Sequence, residues 1–128
     1  METIKRFDLS GRVAVITGGA GLLGKEHATV IAEAGGIPIL ADVRREDAQK
    51  AAQEVSEKFQ VPALGVGVDI TNKKEVEQLL EKLIKKFQRV DILINNAAND
   101  PKVGGENQNS DWSRFENFSL EMWEKDLA

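Results

Sequence analysis

The eight residues Thr17–Gly24, TGGAGLLG, hold four glycines and follow directly on the apolar run Val13-Ala14-Val15-Ile16. Read as G-x-G-x-x-G, the spacing selects Gly19, Gly21 and Gly24. The first serves a tight turn, the second lets backbone N–H groups reach a pyrophosphate, and the third allows close helix–strand packing. A helix opening at this loop adds partial positive charge aimed at the anion. Such a loop needs an acidic residue further on, to accept hydrogen bonds from the adenosine ribose. Asp42, 18 residues after Gly24, stands in that place within Leu40-Ala41-Asp42-Val43. Its plain alternative is a turn residue or the cap of the next helix. A carboxylate there repels a 2′-phosphate, so NAD is expected as the cofactor and NADP is the lesser reading. Arg44 and Arg45 keep NADP open, because either could reach such a phosphate. Both also read simply as solvated charges at a helix start.

Little else in the chain could do chemistry. It has no cysteine and no tyrosine, so disulfides, thiolates and phenolic acid–base groups are excluded. The single histidine, His27, lies one turn after Leu23 on a helical segment. With no second histidine to share a metal, it reads as a packed or half-exposed helix residue. Trp112 and Trp123 read as packing residues, since no basic patch surrounds them. The net charge of −4 argues against nucleic acid or an anionic membrane surface as a partner. No apolar run approaches membrane-spanning length, and METIKRFDLSG lacks the apolar stretch of a signal peptide. A cytoplasmic location is the expectation.

The elements that position the glycine loop come from the apolar periodicity. Arg12–Thr17, Ile37–Val43, Val61–Ile70 and Asp91–Asn95 read as four strands, the last leaving through NNAA. Between them lie three helical segments. The first carries Leu23, Val30, Ile31 and Ala34 and stops at Gly35-Gly36. The second carries Ala48, Ala51, Ala52, Val55 and Phe59. The third, capped by Thr71 or Asn72, has Val76, Leu79, Leu80, Leu83, Ile84 and Phe87 on one face. If buried, each of these six side chains contributes about 1.5–3 kcal/mol before entropy. Asn99–Asn117, with Pro101 and Gly104-Gly105, reads as a surface loop, and Ser119 as the cap of a last helix. At 128 residues the chain suffices for one domain. Alternating strands and helices imply an α/β fold with a doubly wound parallel sheet, in strand order 3-2-1-4. Ligands bind such sheets at the switch point between strands one and four.

With TGGAGLLG, LADV, VGVDIT and DILINNAA in this order, the chain resembles the short-chain dehydrogenase/reductase family from Leu9 to Ala128. The resemblance implies a Rossmann-type sheet, an NAD(P) cofactor, and hydride transfer between nicotinamide and an alcohol or carbonyl substrate. It also implies cofactor contacts from Thr17, Gly18, Gly19, Gly21, Leu22, Leu23 and Gly24. Asp69 and Ile70 are implied to lie beside the adenine. Asn95 and Asn96 of NNAA brace the strands near the cofactor, and Ala97 and Ala98 belong to the same motif, Ala97 lining the ribose. Two features depart from the common pattern. Leu22 stands where the core subfamily has glycine, so the loop fits TGxxGxxG of the extended subfamily, whereas NNAA is of the core type. The family's Tyr-x-x-x-Lys pair, its serine and its further asparagine have no counterpart here, so no catalytic residue can be assigned. More faintly, the motifs are similar to those of bacterial members assigned to surface-polysaccharide or flagellin-glycan synthesis.

The leading expectation is an amino-terminal, cofactor-binding portion of an oxidoreductase, inactive alone. The alternatives are a non-catalytic dinucleotide-binding or assembly module, and a fragment of an extended-type nucleotide-sugar epimerase or dehydratase. Strand four would be left as an edge with the apolar core Ile92-Leu93-Ile94, so self-association is also expected.

Overall fold

The computed structural model describes residues 2–98 and 119–127. The chain divides into Met1–Ala97 and Ala98–Ala128. The first unit contains a four-stranded sheet in the order β3-β2-β1-β4. Its strands are β1 (Val13–Thr17), β2 (Ile37–Asp42), β3 (Leu64–Gly67) and β4 (Ile92–Ile94). All three neighbouring pairs run parallel. The helices α1 (Glu2–Lys5), α2 (Leu22–Glu33), α3 (Arg45–Phe59) and α4 (Lys73–Phe87) alternate with them. The expected doubly wound order is therefore present. In the second unit the described element is α5 (Leu120–Leu127). The expected loop Asn99–Asn117, and Trp112 with it, falls outside the described residues.

Period-two alternation divides β1 between the sheet's two faces. Ile16 joins Leu40 under the alanine-rich sides of α2 and α3, where Ala28, Ala32, Ala48 and Ala52 are buried. Val13 and Val15 face the other way, with Ile39, Ala41, Val66 and Leu83 of α4. Small residues let α3 approach β3 until a side chain at Gly65 would run into the Ala48 backbone. Pro38 is tolerated inside β2 for a register reason. The Ile37 N–H donates to Arg12 O on the β1 side, so the next nitrogen faces β3. Pairing with β3 begins only at Ile39, which spares the ladder the missing donor.

Two expectations need correction. The third strand is shorter than Val61–Ile70, because the chain turns at Asp69, whose carboxylate accepts from the Thr71 N–H and hydroxyl. The α4 stripe is only partly buried. Leu83 is covered, and Leu79 and Phe87 pack against the sheet, but Val76, Leu80 and Ile84 stay 40%, 51% and 45% exposed. Leu80 and Ile84 lie about 60° and 100° round the helix from Leu83, beyond what one flat sheet can cover. Of the two possible caps for α4, Asn72 is the one used. Its side chain accepts from the Lys74 and Glu75 N–H groups at 3.1 and 3.3 Å.

Asp91 ties β4 to β1 at the end of the sheet remote from the glycine loop. Its Oδ2 accepts from the Val13 N–H at 2.9 Å, and Arg89 forks onto both oxygens at 2.8 Å. The Arg89 guanidinium first, and then the Val13 N–H, hold the Asp91 carboxyl well below the usual carboxylate range. A depressed folded-state pKa gives stability that is present above the unfolded value, near about 3.9. It is lost as pH falls toward the folded value. Asp91→Asn should therefore lower the urea midpoint at pH 7, and that deficit should shrink as the pH drops below about 4. A deficit independent of pH would contradict the assignment.

Candidate dinucleotide-binding site

Parallel strands bring Thr17, Asp42, Gly67 and Ile94 to the carboxyl edge of the sheet, where the glycine loop joins β1 to α2. Gly18 makes the turn, with a φ of +63°. The turn was expected at Gly19, and the structure gives that residue a different task. A Cβ on Gly19 would meet Leu40 Cα at 2.7 Å, so its bareness lets the loop lie across β2. Gly24 has the packing role expected of it. A Cβ there would collide with the Gly18 carbonyl and approach Gly19 Cα to 2.8 Å.

Gly21 is different. Its backbone, at φ −77° and ψ 173°, suits any residue, and a Cβ would have only the Gly18 carbonyl nearby, at 3.3 Å. The fold does not require glycine here. The space that a side chain would fill lies open at the start of α2, where no side chain caps the helix. The first-turn N–H groups of Leu22, Leu23 and Gly24 have no intrahelical partners. The Leu22 side chain, 81% exposed, is the most open apolar group in the sheet-bearing unit, and Leu23 is exposed as well. Bare backbone, open donors and helix polarity together form a cradle for an anion.

Asp42 is 8% exposed and holds this loop in place. Its Oδ2 accepts from the Ala20 N–H at 3.1 Å. Its Oδ1 accepts from the Arg44 N–H at 3.0 Å and from Arg44 Nε at 3.5 Å. A carboxylate has about four acceptor sites, so capacity remains for a ribose hydroxyl. Arg44 also lies 3.8 Å from the Asp47 carboxylate. Its charge is already shared between two acidic groups, a pairing the sequence did not disclose. Arg45 lies instead along Gly67, at the outer strand.

On the β4 side, Thr17 Oγ1 accepts from the N–H groups of Asn96 and Ala97, both at 3.0 Å. The Asn96 amide donates to the carbonyls of Thr17 and Gly18 at 3.2 and 3.3 Å. Asn96 thus braces the turn, as expected. Asn95 is exposed, and none of the hydrogen bonds among the described residues comes from its side chain. Ala97 is exposed beside the turn, and Ala98 begins the second unit. Asp69 and Ile70 follow Val68, whose N–H donates to Asp42 O at 3.0 Å, so they leave β3 beside the end of β2. The Thr71 hydroxyl and N–H lower the Asp69 carboxyl's pKa, so it stays ionised. Ile70 is 44% exposed, and so is more than half of Val43, which sequence reasoning did not single out. Its only signal was an apolar residue just beyond a strand end. His27 is half-buried, and among the described residues no cluster could hold a metal ion.

A doubly wound sheet with a glycine loop leaving β1 beside its switch point, and a buried carboxylate at the end of the adjacent β2, has the form of a dinucleotide-binding α/β protein. The profile of the short chain dehydrogenase family matches residues 12–125, and the chain belongs to that family. A short chain dehydrogenase/reductase of Gibberella zeae is 41% identical over 90 residues, which span 70% of this chain and 33% of that protein. The structure of NAD+-bound xylitol dehydrogenase is similar with a TM-score of 0.67 and 33% identity, covering 71% of this chain and 35% of that one. The NADPH-dependent 3-quinuclidinone reductase of Rhodotorula rubra gives a TM-score of 0.75 at 29% identity, covering 96% and 43%. The chain therefore spans well under two thirds of these relatives. Both nicotinamide cofactors occur among the neighbours. No helix among the described residues is long and apolar enough to cross a membrane.

Proposed function

We propose that this chain is the NAD-binding portion of an oxidoreductase that moves hydride between nicotinamide and an alcohol or carbonyl substrate. The observation that carries the reading is Gly21, left bare where the fold does not need it, at an uncapped helix start beside Asp42. The first-turn N–H groups would hold the pyrophosphate, and Asp42 would take the adenosine ribose hydroxyls. Val43 and Ile70 would offer apolar contact to the adenine, with Asn96 and Thr17 fixing the turn beneath Ala97. When bound, the nicotinamide ring supplies the hydride acceptor or donor. NAD is the proposed partner because Asp42, a buried carboxylate at the end of β2, would oppose a 2′-phosphate on the ribose. The likeness to xylitol dehydrogenase makes a polyol or sugar the first class of substrate to try.

This chain binds and orients; it contains no tyrosine to carry the proton. The missing acid–base group alone accounts for a deficit on the order of 10²–10⁴ in rate. The purified 128-residue chain should therefore form no NADH from polyols or other alcohols. All the proposed contacts address ADP-ribose, so ADP-ribose and NAD should bind with similar, weak affinity in calorimetry. NAD binding far more tightly than ADP-ribose, or robust NADH formation, would overturn the proposal.

Self-association belongs to the same reading. Val76, Leu80 and Ile84 on α4 and Leu93 on β4 leave apolar surface open. Sedimentation velocity should show the weight-average coefficient rising with concentration. A monomer throughout would contradict this.

A further inference from the structure

A cavity lies along the outer edge of β3, apart from the glycine loop. A cleft of about 510 Å³ runs there between α3 and α4, lined by Arg45, Gln49, Gly65, Gly67, Gln78 and Lys82 among others. Its floor is strand backbone. The Val68 N–H donates to Asp42 O on the β2 side. By alternation Val66 and Leu64 also turn their N–H and C=O groups to β2, and those of Gly65 and Gly67 point outward. Val66 and Val68 bury their side chains toward α4. Gly67 is exposed, with no side chain of its own to screen its outward groups from a second strand, whereas Gly65 is buried against the Ala48 backbone.

The walls carry charge. Neither Arg45 nor Lys82 has an ion pair among the described residues. The acidic member of the lining, Glu75, is engaged, accepting from the Asp69 N–H at 2.7 Å and from the Asn72 amide at 3.3 Å. The cleft thus offers main-chain donors and acceptors at its floor, a cation on each wall, and the amides of Gln49 and Gln78. We propose that this edge binds an extended acidic peptide by strand addition. The peptide main chain would pair with Gly67, with carboxylates on successive residues turning toward Arg45 on one wall and Lys82 on the other. Charge selects this occupant over a second copy of the chain. Pairing β3 with its own twin would bring each cationic wall against another.

The test uses the 128-residue chain, labelled with nitrogen-15, and a blocked pentapeptide of sequence Val-Glu-Glu-Glu-Val, whose consecutive carboxylates turn to opposite walls. The Gly67 amide signal should move and gain exchange protection, while those of Gly18, Gly19 and Gly21 stay in place. The paired substitution Arg45→Glu and Lys82→Glu should weaken binding about tenfold, the size expected when two exposed ion pairs become repulsions. Both side chains are exposed, so the variant should fold, and an unchanged pattern of core amides checks this. N-methylation of the peptide main chain should abolish the shifts. An unmoved Gly67 signal would overturn the proposal. Equal binding of the Val-Lys-Lys-Lys-Val peptide, or shifts that track protein concentration alone, would do the same.

Discussion

Gly21→Ala is expected to keep the fold and lose the dinucleotide, whereas Gly24→Ala loses the fold. At Gly24 the new methyl meets the Gly18 carbonyl and the Gly19 backbone, and neither can swing aside as a side-chain tip could. Overpacking of this kind costs about 1–3 kcal/mol or more, a large fraction of a small domain's stability. At Gly21 the methyl meets one carbonyl at 3.3 Å, which a shift of a few tenths of an ångström relieves. Alanine is also a poorer helix cap than glycine, so up to about 1 kcal/mol is lost there. The same methyl occupies the space through which the pyrophosphate would reach the helix N–H groups. NAD affinity should fall at least tenfold. Thermal melts beside calorimetric titrations separate the two effects. Undiminished NAD binding by Gly21→Ala would remove the loop from the site.

The second large effect concerns Asp42. In the unmutated chain NAD should bind more tightly than NADP, because the 2′-phosphate would be brought against a buried carboxylate. Asp42→Ala should lower NAD affinity and narrow the gap. It should also cost about 1–3 kcal/mol of stability, since the buried Ala20 N–H loses its acceptor. Asp42→Asn keeps an acceptor for Ala20 but removes the charge. It should narrow the NAD/NADP gap at a smaller cost to stability. Equal affinities for the two cofactors in the unmutated protein would contradict the assignment. So would an Asp42→Asn variant whose preference is unchanged.

How far the sequence discloses all this varies with the range of the interaction. The strand order follows from alternating β and α segments, and it matches the sheet. The position of Asp42 at the end of β2 follows from spacing, whereas its hydrogen bond from the Ala20 N–H does not. What spacing cannot tell is which glycine carries the positive φ, because Gly18 and Gly19 are equally bare in the sequence and differ only in what lies beneath them. Periodicity likewise marks six apolar positions on α4 without showing how much of that face a single sheet can cover. Asn95 and Asn96 look alike in NNAA, yet only Asn96 reaches back to the Thr17 and Gly18 carbonyls. The Arg44–Asp42 pairing and the Arg89 fork on Asp91 depend on side-chain direction, which no one-dimensional pattern holds.

Amide-resolved titration of the chain with NAD tests the central claim most directly. The account predicts movement of the signals from Gly18 to Gly24, Asp42, Val43, Ile70 and Asn96, with those of Gly65 and Gly67 on the β3 edge unmoved. Shifts confined to other surfaces, or none at millimolar NAD, would contradict it.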